Sequence, residues 1–180
     1  MPLGRAAWRR AAVAAACALL GTGCGLTHLQ DLNFRTDDRL HFVSPEDRST
    51  VHQPVTVSWT MRDFTIEAPG SAPPTRDAGY FAVFVDRPPI KPGATMKDVA
   101  KGDRFCEQNP RCPDAAYLHQ HYVFTTTKTA LTMPQIPNLI GSKETLQLHT
   151  ITIVLMDTSG HRIGESAWEL DVRIPKVSFS

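Results

Sequence analysis

The chain carries few of the signatures that announce an enzyme. It has no G-x-S-x-G elbow, no glycine-rich phosphate loop and no H-E-x-x-H stretch, so the common serine-hydrolase, nucleotide and zinc-protease arrangements have no sequence basis. Past the first ten residues no run of bases occurs, which argues against a nucleic-acid partner. No apolar run approaches the roughly 20 residues that cross a bilayer as a helix. Cysteine is sparse, with four in 180 residues, and neither an internal repeat nor a long low-complexity tract is present.

The first 23 residues differ from the rest. Arg5, Arg9 and Arg10 stand with no acid among them, residues 11–20 are uncharged and mostly alanine, and Gly21, Thr22 and Gly23 are small. A basic head, an apolar stretch of about ten residues and a small-residue end form the layout of a secretory signal segment. A buried amphipathic helix would need a polar face, and residues 11–20 have none. Removing residues 1–23 turns the formal charge of +1 into about −2. What remains suffices for one domain with a sizeable core.

The segment ends in "LLGTGCG" (19–25), which resembles the lipobox of bacterial lipoproteins. The resemblance implies that Cys24 receives a thioether-linked diacylglyceryl group and becomes the new N-terminus after cleavage. Thr22 and Gly23 match the last two places before the cysteine, while Leu20 stands one position earlier than the usual leucine. Two or more acyl chains hold a protein stably on a membrane, whereas one does so marginally. The expected address is the extracytoplasmic face of the cell membrane. With Cys17 lost in the signal and Cys24 lipidated, Cys106 and Cys112 remain as a pair in an oxidising compartment. That favours a disulfide between them. The rival, a thiolate metal site, does not fit the five-residue gap of "CEQNPRC".

Residues 24–39 read as a lipidated N-terminus and polar tether, in which Asp37 and Asp38 are solvated. Beyond it the apolar period becomes two. "LHFV" (40–43), "PVTVSWTM" (54–61), "DFTIEA" (63–68), "GYFAVFVD" (79–86), "YLHQHYVF" (117–124), "KTALTMPQI" (128–136), "LQLHTITIVLMD" (146–157) and "RIGESAWELDVRI" (162–174) read as strands. Trp59 and Trp168 alternate with polar residues, as core residues of half-buried strands do. Only "TMKDVAKG" (95–102) offers a helical turn. The pattern predicts an all-β, antiparallel sandwich of about seven strands over residues 40–180.

"HTITIVLMDTSGHRIGE" (149–165) resembles the last hairpin of bacterial immunoglobulin-like and fibronectin type III-like domains, with alternating β-branched residues and then Asp and Gly at the turn. His149 occupies the place where those domains often have tyrosine. The resemblance implies an immunoglobulin-like fold over about residues 40–175 and says little of function, because such sandwiches host unrelated roles.

Two features carry functional expectations. Residues 87–114 contain no clear strand and exceed an ordinary loop. Pro88, Pro89 and Pro92 stiffen the start and the Cys106–Cys112 ring pins the end, so ordering this segment on a partner costs little entropy. It is the expected surface for a protein or cell-envelope ligand. "LHQHY" places His119 and His121 two apart, on one face of a regular strand, where two imidazoles can begin a copper or zinc site. A third ligand would come from His149, Met133 or Asp86. The sequence therefore reads as a lipid-anchored, extracytoplasmic binding or envelope-structural module without catalysis or cofactor. The alternative is a metal-handling surface lipoprotein using His119 and His121.

Overall fold

Why this chain forms sheets is visible in its third strand, where Val55, Val57 and Trp59 are buried and Thr56 and Thr60 are exposed. The structure is a computed structural model and describes residues 37–177. Cys24 and the signal segment lie outside the described residues. The strands are β1 (Leu40–Ser44), β2 (Ser49–Thr50), β3 (Val55–Met61), β4 (Thr65–Ile66), β5 (Ala78–Val85), β6 (Val123–Thr126), β7 (Ala130–Met133), β8 (Leu146–Asp157) and β9 (Trp168–Pro175). Two short helices, α1 (Arg104–Glu107) and α2 (Ala115–Gln120), and a 3-10 turn at Met96–Ala100 lie between β5 and β6.

The strands make two sheets. One has the order β1-β3-β7; the other has β2-β9-β8-β5-β4, with β6 also paired to β5. Most pairings are antiparallel, as the alternation predicts, but β2 runs parallel to β9 and β4 parallel to β5 over two residues each. In β1 the register slips between Phe42, opposite Trp59, and Ser44, opposite Ser58. This bulge leaves Val43 unpaired and 61% exposed.

Side chains from both sheets fill the space between them: Leu40, Val55, Val57, Trp59 and Met133 meet Phe81, Ile151, Leu155, Leu170 and Ile174. Each such burial contributes about 1.5–3 kcal/mol relative to exposure. A second, smaller core lies on the far side of β5 and β8. There Tyr80, Ala82, Phe84, Val154 and Met156 are covered by Ile90, Leu118 and Val123. A strand buried on both faces has no polar alternation to show. That accounts for the dense apolar run of β5, buried from Gly79 to Val85.

One expected strand is mostly helix. Residues 115–120 form α2, and extended structure begins only at Val123. The Asp114 carboxylate caps the helix by accepting from the Tyr117 amide at 2.8 Å. The alanines after it are strong helix formers. A further difference lies in the last expected strand, where only its second half, β9, is extended beyond an isolated bridge at Arg162.

Candidate binding surface

The long excursion between β5 and β6 is built, not loose. It leaves β5 at Asp86, whose backbone has a positive φ of 53° and whose carboxylate is held twice. Oδ1 accepts from the Thr150 amide at 3.0 Å, and Oδ2 accepts from Nδ1 of His149 at 2.7 Å. His149 is 1% exposed, so this contact satisfies an imidazole that would otherwise be stranded in the core.

Along the excursion, acidic side chains cap each turn of helix. The Asp98 carboxylate accepts from the Thr95 amide at 3.1 Å. Asp103 accepts from the amides of Phe105 and Cys106 at 2.8 and 3.2 Å, and from the Tyr117 hydroxyl at 3.0 Å. These donors, the Cys106 amide foremost, pull the Asp103 carboxyl below its ordinary range. Burial, then the facing carboxylate, pushes the Tyr117 phenol up. The phenol thus ties α2 to the start of α1. Cys106 and Cys112 are joined as a disulfide with a Cα–Cα distance of 4.9 Å.

Ile90 and Leu118 anchor the excursion to the sheet, with Ala94, Met96 and Val99 packed against the same core. It is also stitched to the β8–β9 turn. The Gly93 amide donates to the Arg162 carbonyl at 3.0 Å, and the Arg162 amide to the Ala94 carbonyl at 2.8 Å. What faces solvent is the disulfide end, where Phe105 is 67% exposed. Beside it a groove of about 290 Å³ is lined by Lys97, Asp98, Lys101, Cys106 and Glu107. A second groove, of about 570 Å³, opens where Arg87 and Pro88 meet Thr150 and Glu169 of the sheet.

The structure does not put His119 and His121 on one strand face. His119 lies on α2 and His121 caps its C-terminus. Helical residues two apart point about 160° away from each other, so the shared face is lost. The His121 ring stacks on Tyr117 with centroids 4.2 Å apart, and His119 lies 4.8 Å from Phe124. Of the third-ligand candidates, Met133 is in the inter-sheet core and His149 and Asp86 bind each other. Among the described residues no group of three or more His, Cys, Asp or Glu side chains is placed to hold a metal ion.

Asp37 is not solvated tether. Its carboxylate takes Arg39 Nε at 3.0 Å on Oδ1, Arg39 Nη2 at 2.8 Å on Oδ2, and the Ser166 hydroxyl at 2.6 Å. Its carbonyl accepts from Trp168 Nε1 at 2.7 Å. The Arg39 hydrogen bond is the main reason the Asp37 carboxyl falls from 3.8 to about 2. Asp38, by contrast, is exposed as expected. Because the Asp37 pKa is depressed on folding, its stabilisation is complete above about 3.8 and fades as pH falls towards 2. Asp37→Ala should therefore cost about 1–2 kcal/mol at neutral pH, allowing for partial solvent screening. Urea midpoints of the two proteins should converge below pH 3; a gap that persists undiminished to pH 2 contradicts this assignment.

Comparison of the chain with protein-family models, with curated proteins and with solved structures finds no match in any of the three.

Proposed function

We propose that this protein is a lipid-anchored, extracytoplasmic binding module that presents the excursion of residues 87–114 to a protein or cell-envelope ligand. The observation that carries the binding reading is the excursion's construction. Two capped turns, a disulfide and the buried Ile90, braced by capped α2 and its Leu118 just beyond, hold the segment in place while Phe105 stays exposed. A preorganised surface loses little entropy on binding, and an exposed aromatic gives it an anchor for a partner's pocket. The anchored address rests on the likeness of "LLGTGCG" to a lipobox. A disulfide is the bond expected of an exported chain, and among the described residues no helix is long and apolar enough to cross a membrane. The immunoglobulin-like reading is supported by strand order: β1-β3-β7 faces a second sheet in which β2 runs parallel to the last strand.

The disulfide offers the test. Replacing both Cys106 and Cys112 by serine opens a small ring in a surface segment, so stability should fall by about 2 kcal/mol with the sandwich still folded. Binding should fall more, because the loosened segment must be ordered by the partner. Affinity capture from native envelopes, with wild-type and double-variant baits side by side, should recover a ligand with the first and little of it with the second. Equal recovery by both baits would place the binding surface elsewhere.

A further inference from the structure

A wide cleft lies outside the excursion's exposed end. Its volume is about 760 Å³, and it is walled by the Pro74–Asp77 loop, the β8–β9 turn and Arg39. Three arginines line it: Arg39, Arg76 and Arg162. Their charges are not equally answered. Arg39 is closed by Asp37 through the paired hydrogen bonds described above. Among the described residues, neither Arg76 nor Arg162 has a carboxylate within ion-pair distance.

Arg162 is the unusual one, since it is only 7% exposed. Its guanidinium donates to three backbone carbonyls, those of Ile90, Glu165 and Ser166, the last two at 2.8 and 3.1 Å. A guanidinium has five N–H donors. Nε–H is buried with no partner, and a second N–H on Nη1 has no acceptor among these bonds. All its hydrogen bonds go to carbonyl dipoles, and Glu165 attracts it only from beyond ion-pair distance, so this buried cation lacks a full counter-charge. Burial accordingly pushes the guanidinium down from its ordinary value.

The acids of the cleft do not supply that charge. Asp157 Oδ1 is committed to its own turn, accepting from the Ser159 amide and hydroxyl and from the His161 amide at 2.8–2.9 Å. His161 Nδ1 stands 3.9 Å from the same oxygen, and the carboxylate also bears on the Tyr80 phenol. Asp77 is exposed on the rim loop beside Arg76. The arrangement has a buried cation at one wall and, at the rim, an exposed arginine with no ion-pair partner among the described residues.

We infer that this cleft binds a small molecule through an oxyanion, phosphate or carboxylate, held between Arg76 and Arg162. Guanidinium groups match both oxyanions bidentately, and walls of low dielectric strengthen the attraction. The volume is that of a small-molecule site and exceeds a bare ion, so the oxyanion is a handle on a larger ligand. The cleft borrows Gly93 from the start of the excursion but not its exposed disulfide end, so either reading can fail without the other.

Isotope-labelled full-length protein titrated with inorganic phosphate tests this by nuclear magnetic resonance. The amides of Gly93, Ile163 and Gly164 and the Nε–H of Arg162 should shift saturably, beyond what sodium chloride produces. Arg76→Gln, on an exposed loop and safe for folding, should weaken binding about tenfold. Arg162→Gln should abolish it if the variant folds, while Arg111→Gln, at the disulfide end, should leave it unchanged. Vesicles of phosphatidylglycerol, set against phosphatidylcholine, identify the source. Anionic-vesicle binding that needs Arg76 and is displaced by phosphate assigns a lipid headgroup; phosphate binding alone assigns a soluble ligand. No saturable shift, or identical shifts in wild type and Arg76→Gln, overturns the proposal.

Discussion

Gly79→Ala should leave almost no folded protein at physiological temperature. Gly79 lies in β5 opposite Asp157 of β8, with φ at 152°. A methyl group there would run into the Met156 carbonyl oxygen and come within 2.9 Å of the Asp157 Cα. Both obstacles are backbone of the longest strand, which cannot move without breaking its ladders to β5 and β9. β4 also pairs with Gly79 through Ile66. Backbone strain costs about 1–3 kcal/mol, and steric overlap in a packed sheet adds to it, so a total loss of about 4 kcal/mol or more is expected. Gly93→Ala is the control: its φ is also positive, but nothing lies within 4 Å of a Cβ. That variant should lose only about 1 kcal/mol. Chemical denaturation of both variants measures the contrast, and near-equal losses would mean that β5 and β8 do not pack as closely as described.

Phe81→Ala should be the costliest side-chain truncation in the sandwich. Phe81 is fully buried, meets Trp59 edge-on with centroids 5.2 Å apart, and lies 6.0 Å from Phe64. It joins β5 of one sheet to β3 of the other, so its removal opens a void that both sheets border. Truncations of this kind cost about 3–5 kcal/mol, because rigid strands collapse poorly into the space. The same change at exposed Phe105 should leave stability within about 0.5 kcal/mol. A small effect at Phe81, with unchanged cooperativity, would contradict the inter-sheet core.

How much of this was legible in the sequence depends on what each residue has to satisfy. β8 spans the same residues as its apolar run, and β9 keeps the alternation of Trp168, Leu170, Val172 and Ile174, because one face meets a core. Where both faces are covered the period disappears, and β5 shows only density. The helix at Ala115–Gln120 is masked in the sequence because Tyr117, Leu118, Tyr122 and Val123 dominate the apolar pattern and make residues 117–124 read as strand. Pro113 and Asp114 before two alanines were the signal that competed with it. The Cys106–Cys112 bond could be reasoned from compartment and elimination, and it is present.

Contacts between residues far apart in the chain were another matter. Asp86 meets His149 across 63 positions and Ser166 meets Asp37 across 129, and no local pattern encodes either. The same holds for the cleft of Arg39, Arg76 and Arg162. Those arginines are scattered through the sequence and become neighbours only once the N-terminal approach, the Pro74–Asp77 loop and the β8–β9 turn meet at one end of the sandwich.

The central claim, that the sandwich is carried on a membrane by its own N-terminus, is tested most directly by mass spectrometry of the N-terminal peptide from the membrane fraction. The account predicts a mature chain that begins at Cys24 and bears a thioether-linked diacylglyceryl group, with both peptide and membrane retention lost in Cys24→Ser. A membrane-associated chain with an unmodified Cys24, or a Cys24→Ser variant retained and labelled like wild type, would contradict it.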